Sequence, residues 1–150
     1  MANIVEYTAE IDAPVSVVFD YLDDFTNTKD WMYGLEEFEP VGDQLHGVGA
    51  TYRGTMKLGV TLRSTLRCTA WEKDRLLEIE SIDGIRNTQR WTFTDLGDDR
   101  TKVDAWISYS LPGGAAGVAM GRVVKPVVAV AVKQTAASLA RHVEASHRGA

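Results

Sequence analysis

The stretch VTLRSTLRCTA, residues 60–70, has the strictest alternation of side chains in this 150-residue chain. Its even-numbered residues are apolar or small, and its odd-numbered residues are threonines and arginines. A period of two is typical of a strand with one buried face. Outward from it, further strands are predicted at Ile4–Ile11, Glu36–Glu39, Ala50–Lys57, Leu76–Ile82, Asn87–Thr94 and Thr101–Ser110. Their short connections, among them a predicted Asp83-Gly84 hairpin turn, favour an antiparallel sheet.

Two short helices are predicted after the first strand and one long helix at the end. Pro14 suits the first position of a helix with an apolar face, and a second helix at Asn27–Met32 has Trp31 as its apolar anchor. Val123–His142 has an apolar stripe at helical spacing, and we predict a kink at Pro126 rather than a start near Lys125. The glycine-rich run Gly113–Gly121 before it is either a flexible lid or a plain strand-to-helix connection.

Composition and charge narrow the class of protein. A net charge of −5 argues against a nucleic-acid or anionic-membrane binder. We see no signal peptide and no run of about 18 apolar residues that would span a membrane. One cysteine and three scattered histidines predict neither a disulfide nor a zinc site. We therefore expect one cytoplasmic domain over residues 1–150, with no cofactor and no stable membrane insertion.

The segment IDAPVSVVFDYLDDF, residues 11–25, followed by Trp31, closely resembles the opening of the polyketide cyclase/dehydrase and lipid-transport proteins. That family belongs to the START-like, helix-grip (SRPBCC) superfamily. GVGATY at 47–52 and LPGG at 111–114 are similar to two of its later hallmarks. The resemblance covers essentially the whole chain. It implies an α+β fold in which a curved seven-stranded antiparallel sheet grips the C-terminal helix around an apolar cavity.

Members of the family include ligand carriers, hormone receptors and aromatase/cyclases, so the fold does not decide the activity. The inward strand faces predict which residues line the cavity. They are Tyr52, Met56, Leu62, Ser64, Leu66, Leu77, Ile79, Gln89, Trp91, Ile107 and Tyr109 from the sheet, with Met120, Val124 and Val128 from the helix. A mostly apolar wall with sparse polar groups predicts binding of a small hydrophobic or aromatic ligand, lipid-like or polyketide-like. Ser64 and Gln89 either face that ligand or pair internally.

Two other functions remain open. An aromatase/cyclase-type enzyme would need a positioned acid or base. His46 lies in a polar turn and is expected to be solvated, and Cys68 points inward and is expected to be inert, so the sequence offers no convincing catalytic dyad. The third function is a protein-interaction module with an unspecified partner. It would use the outward cations Arg53, Arg63, Arg67, Arg86 and Arg90, for which ion pairing with Glu78 and Glu80 is the simpler explanation.

Overall fold

Seven strands form one antiparallel sheet in the computed structural model, which describes residues 3–149. The strands are β1 (Asn3–Ile11), β2 (Leu35–Pro40), β3 (Thr51–Lys57), β4 (Thr61–Glu72), β5 (Leu76–Gly84), β6 (Arg86–Gly97) and β7 (Arg100–Ser110). Their order across the sheet is β1-β7-β6-β5-β4-β3-β2. The helices are α1 (Val15–Asp23), α2 (Thr28–Trp31) after a 3₁₀ turn at Phe25–Asn27, and α3 (Gly114–Gly149). The predicted α+β helix-grip architecture is confirmed.

The alternation of β4 holds as far as Cys68 and then reverses. Register shifts between Thr65 and Leu66 and again between Cys68 and Ala70 mark irregularities in its pairing with β5. Ala70 lies opposite Glu78, whose carboxylate binds Arg90 on the outer face. Since directly opposed residues share a face, the inward position predicted for Ala70 is wrong. Trp71 points inward in its place and packs edge-on against Phe19 at 5.5 Å.

The Asp83-Gly84 sequence predicted a two-residue hairpin turn, but Gly84 does not lie at the tip of one. The pairing of β5 with β6 ends at Glu80 and Thr88, and Gly84 pairs with Ser64 of β4 instead. Gly84 has φ +80°, and a Cβ there would lie 2.2 Å from the carbonyl oxygen of Arg63. The glycine therefore permits a close approach of two backbones. The tight two-residue turn lies at Asp98-Asp99, both with positive φ.

Helix α3 begins at Gly114, well before the predicted start at Val123, and continues through Pro126 to Gly149. The glycine-rich run is therefore helical from Gly114 onward, and neither a lid nor a simple connection. Gly117 permits this start, because a Cβ there would lie 1.5 Å from the carbonyl oxygen of Pro112. By length and composition alone, the longer helix could span a membrane, which was not expected from the sequence.

One end of the concave face is closely packed. Phe19 of α1, Leu139 and Val143 of α3, and Ile11 of β1 are 0% exposed. Pro14 is the N-cap of α1 rather than its first helical residue, with extended ψ of 151°. The packed residues join α1 to β6, β7 and α3, and they join α3 to β1.

The outer face of the sheet is polar, as predicted. The cations predicted to face outward, Arg53, Arg63, Arg67, Arg86 and Arg90, are all exposed. Arg90 Nε donates to Glu78 Oε2 at 3.0 Å, and its guanidinium lies 5.3 Å from the ring centre of Trp106. Arg90 is therefore ion-paired with Glu78, as expected for the outer arginines.

Candidate ligand-binding cavity

A cavity of about 230 Å³ separates the concave face of the sheet from the middle of α3. Its wall is largely apolar, and every strand contributes to it. α3 contributes Val124, Val128, Ala131, Val132 and Thr135. These are short side chains, so they reach only a small distance from the helix towards the sheet.

All eleven residues predicted from the strands lie on the cavity wall, as do Val124 and Val128 from the helix. Met120 does not, although it shares a helical face with Val124. The physical reason is the earlier start of α3. Its first turns lie next to the Leu111–Gly114 segment, where a Cβ at Gly117 would meet the carbonyl oxygen of Pro112 and one at Gly121 would lie 3.8 Å from Leu111. The part these residues take in binding stays a prediction.

Several wall residues were missed, and most of them come from loops, short helices or edge strands. Those outside the predicted set include Tyr7, Asp23, Phe25, Trp31, Phe38, His46, Asn87 and Thr135. Tyr7 and Asn87 could have been found, since each has the inward parity of its strand. Phe38 stacks on Tyr52 at 4.9 Å, and Phe25 lies 5.7 Å from the same ring. No periodicity in the sequence brings these three rings together.

The polar groups around Trp91 form a hydrogen-bonded chain along the wall. Trp91 Nε1 donates to Gln89 Oε1 at 3.3 Å, and Gln89 Nε2 donates to Asn87 Oδ1 at 3.2 Å. Asn87 Nδ2 then donates to the carbonyl oxygen of Ile85 at 2.9 Å. Gln89 thus pairs internally while lying on the wall, and Ser64 lies on the wall as well.

Burial keeps the phenol of Tyr52 and the thiol of Cys68 neutral. Desolvation, with a smaller effect from the charge of Asp23, raises the pKa of Tyr52 to about 12. The Tyr52 hydroxyl donates to the carbonyl oxygen of Leu45, which fixes the β2–β3 loop to the sheet. Desolvation also raises the pKa of Cys68, which is 6% exposed, so this thiol is a poor nucleophile, as predicted.

Asp23 and His46 form the one acid–base contact on the described part of the wall. Asp23 Oδ1 accepts a hydrogen bond from Trp71 Nε1 at 3.0 Å, and its Oδ2 lies 3.7 Å from His46 Nδ1. The His46 side chain is 66% exposed, which agrees with the predicted solvated turn. Gln44 Nε2 donates to the carbonyl oxygens of His46 and Val48, at 3.1 and 2.7 Å, and so holds this turn in shape.

Within residues 3–149, no group of three or more His, Cys, Asp or Glu side chains could hold a metal ion. The described residues of the wall offer apolar contact, neutral hydrogen bonding and the Asp23–His46 pair.

Solved structures share this fold at low sequence identity. A Thermus thermophilus protein superposes with a TM-score of 0.80 at 21% identity, over 96% of this chain and 99% of that one. An aromatase/cyclase from a Streptomyces species gives 0.72 at 16% identity, over 97% and 93%. A START superfamily protein from Mycobacterium smegmatis gives 0.73 at 16% identity, over 94% and 97%. A search of curated proteins finds no match.

The sheet that curls around a long C-terminal helix is the START, helix-grip fold. Helix α3 is long and apolar enough to cross a membrane by length and composition alone. It is, however, the core helix of this fold, so no membrane insertion is indicated. Residues 3–144 match the model of the polyketide cyclase/dehydrase and lipid transport family, and the chain belongs to that family.

Proposed function

We propose that this protein binds a small hydrophobic or aromatic ligand, lipid-like or polyketide-like, in the cavity between the sheet and α3, without a cofactor. The observation that supports this most directly is the cavity itself, with its apolar wall and the stacked rings of Tyr52 and Phe38. Side chains that face empty space lack contacts on one side, and an apolar ligand would supply them. Burial of the ligand's own apolar surface adds about 25 cal/mol per Å².

Native mass spectrometry of the freshly purified protein tests this proposal. We expect a co-purified small molecule, or binding of an added flavonoid, fatty acid or polyketide. Trp91 is 3% exposed and lies on the wall, so its fluorescence should respond to the ligand. Trp106 lies on the outer face beside Arg90. The matched control Trp106→Phe therefore removes fluorescence that arises outside the cavity and should keep the response to the ligand. If no compound changes the Trp91 emission or the melting temperature, the proposal is wrong.

The Asp23–His46 contact favours a second candidate, an aromatase/cyclase-type enzyme. An imidazole at the cavity could take a proton from a carbon next to a ligand carbonyl, with Asp23, anchored by Trp71, orienting the ring. One of the similar structures, at 16% identity, is an aromatase/cyclase. Similarity at this level of identity establishes a shared fold and not a shared activity.

Replacement of His46, the candidate base, distinguishes the ligand-binding protein from the enzyme. His46→Gln should reduce turnover of a poly-β-ketone substrate by about 10²–10⁴-fold, the usual contribution of a positioned acid or base. Its ligand affinity should be unchanged. His147→Gln, near the end of α3, is the matched control. Product formation that is equal in both variants would rule out His46 as the base.

A further inference from the structure

We infer that the cavity selects a ligand with a positively charged amine on an apolar or aromatic body, and that Asp23 binds the ammonium group. The inference rests on the proposed binding function and deepens it, since it names the chemical class and the charge of the ligand. Three features of the described wall support it: a carboxylate with one oxygen left to accept, the absence of lysine and arginine, and aromatic rings near that carboxylate.

The carboxylate of Asp23 is the only one that residues 3–149 place on the wall. It belongs to the last residue of α1, and its side chain is 19% exposed, so part of it is open to a bound molecule. Its Oδ1 accepts from Trp71 Nε1 at 3.0 Å. Its Oδ2 lies 3.7 Å from His46 Nδ1, which is longer than a hydrogen bond. Oδ2 can therefore accept from a ligand.

No lysine or arginine among the described residues of the wall neutralises this charge. Lys73 pairs with Asp20 and Asp74 instead, at 3.0 and 2.5 Å. A ligand that fills the cavity removes water from Asp23, and a neutral or anionic ligand leaves the carboxylate without a compensating charge. An ammonium group supplies both the opposite charge and N–H donors.

Aromatic rings line the cavity near the carboxylate. Phe25 follows Asp23 by two residues and lies 5.7 Å from Tyr52, which stacks on Phe38 at 4.9 Å. All three rings lie on the wall. Although burial is the main cause, the charges of Asp23 and Asp24 also raise the pKa of Tyr52, so a negative potential extends to these rings. Because cations are attracted to aromatic faces, the same surface favours an ammonium group and contacts its apolar body.

Three naphthalenes that differ in one substituent test the inference on the full-length protein at pH 7. They are 1-naphthylmethylamine, which is a cation, 1-naphthalenemethanol, which is neutral, and 1-naphthoate, which is an anion. We expect calorimetry to show the amine binding about tenfold more tightly than the alcohol, the usual effect of a hydrogen bond to a charged group. The naphthoate should bind more weakly than the alcohol.

Replacement of the carboxylate tests its role directly. Asp23→Asn removes the charge but keeps an oxygen that can accept from Trp71, so the ratio of amine to alcohol affinity should fall close to one. Asp24→Asn is the matched control, because it makes the same change at a neighbouring carboxylate that lies off the wall and accepts from Thr26. This control should keep a ratio close to that of the wild type.

Equal affinities of the wild type for amine and alcohol, or a ratio that Asp23→Asn leaves unchanged, would overturn the inference while ligand binding stands. If none of the three compounds binds, the inference is wrong, and native mass spectrometry decides whether the proposed function fails with it. Because the wild-type ratio is decisive by itself, the test does not depend on whether Asp23→Asn folds.

Discussion

The two ends of the concave face differ although one sheet and one helix form both. At the packed end, Phe19, Leu139 and Val143 are fully buried. At the hollow end, Leu62 and Val128 are only half-buried and face a cavity of about 230 Å³. The packed end also contains α1, while the hollow end is covered by α3.

The two ends differ in how far the side chains reach between helix and sheet. At the packed end, Phe19 fills the space between helix and sheet, in contact with Phe93 at 5.1 Å and Trp71 at 5.5 Å. At the hollow end, the helix presents valines and alanines, such as Val128 and Ala131, that are too short to reach across. Side-chain length at these positions thus decides which end is solid.

Truncation at the packed end should have the largest effect. Phe19→Ala should lower the free energy of unfolding by about 3–5 kcal/mol, because it leaves a void among rigid aromatic neighbours. Denaturant titration measures this value. A loss of unfolding free energy below about 1 kcal/mol would mean that the neighbours of Phe19 move in to fill the void. The packed end would then not be more tightly packed than the hollow end.

The same truncation at both ends gives a direct comparison. Val143→Ala removes fully buried methyl groups and should cost about 2 kcal/mol of unfolding free energy. Val128→Ala, on the cavity wall, should cost less than about 1 kcal/mol, because part of its surface already faces empty space. Equal losses in parallel denaturant titrations would contradict the contrast.

A larger side chain at the hollow end should be tolerated and should block binding. Ala131→Leu extends into the cavity, so we expect a change in unfolding free energy within about 1 kcal/mol, against a loss of about 1–3 kcal/mol where a core is overpacked. Affinity for any cavity ligand should fall at least tenfold in calorimetry. A destabilised variant that keeps its affinity would show that the space is not available.

A further effect concerns alkaline pH. The pKa of Tyr52 is raised from 10.0 to about 12 in the folded protein, while the unfolded chain titrates near the ordinary value. Between these values the unfolded state binds fewer protons, so stability is fully present below pH 10 and is lost as pH rises towards 12. Tyr52→Phe should show a shallower loss when unfolding free energy is measured across this window. Parallel pH profiles would mean that Tyr52 does not contribute.

Much of the sheet and its inward face could be predicted from local pattern. Alternation from Val60 to Cys68 assigns Leu62, Ser64 and Leu66 to the inner face because successive side chains in a strand must point in opposite directions. It assigned Ala70 wrongly, because a change of register at a bulge depends on the partner strand. The Asp83-Gly84 turn failed for a similar reason, since Gly84 accommodates the backbone of β4.

The sequence by itself determined the order of the elements, the buried side of most strand positions and the family, because these depend on periods and motifs within short segments. Only the tertiary structure decided that Met120 lies off the cavity, that Asp23 meets His46, and that Tyr7 and Trp31 both pack against the indole of Trp91. Such contacts join segments far apart in the chain. Whether the space between helix and sheet is filled depends on how far apart they lie, which no local pattern encodes.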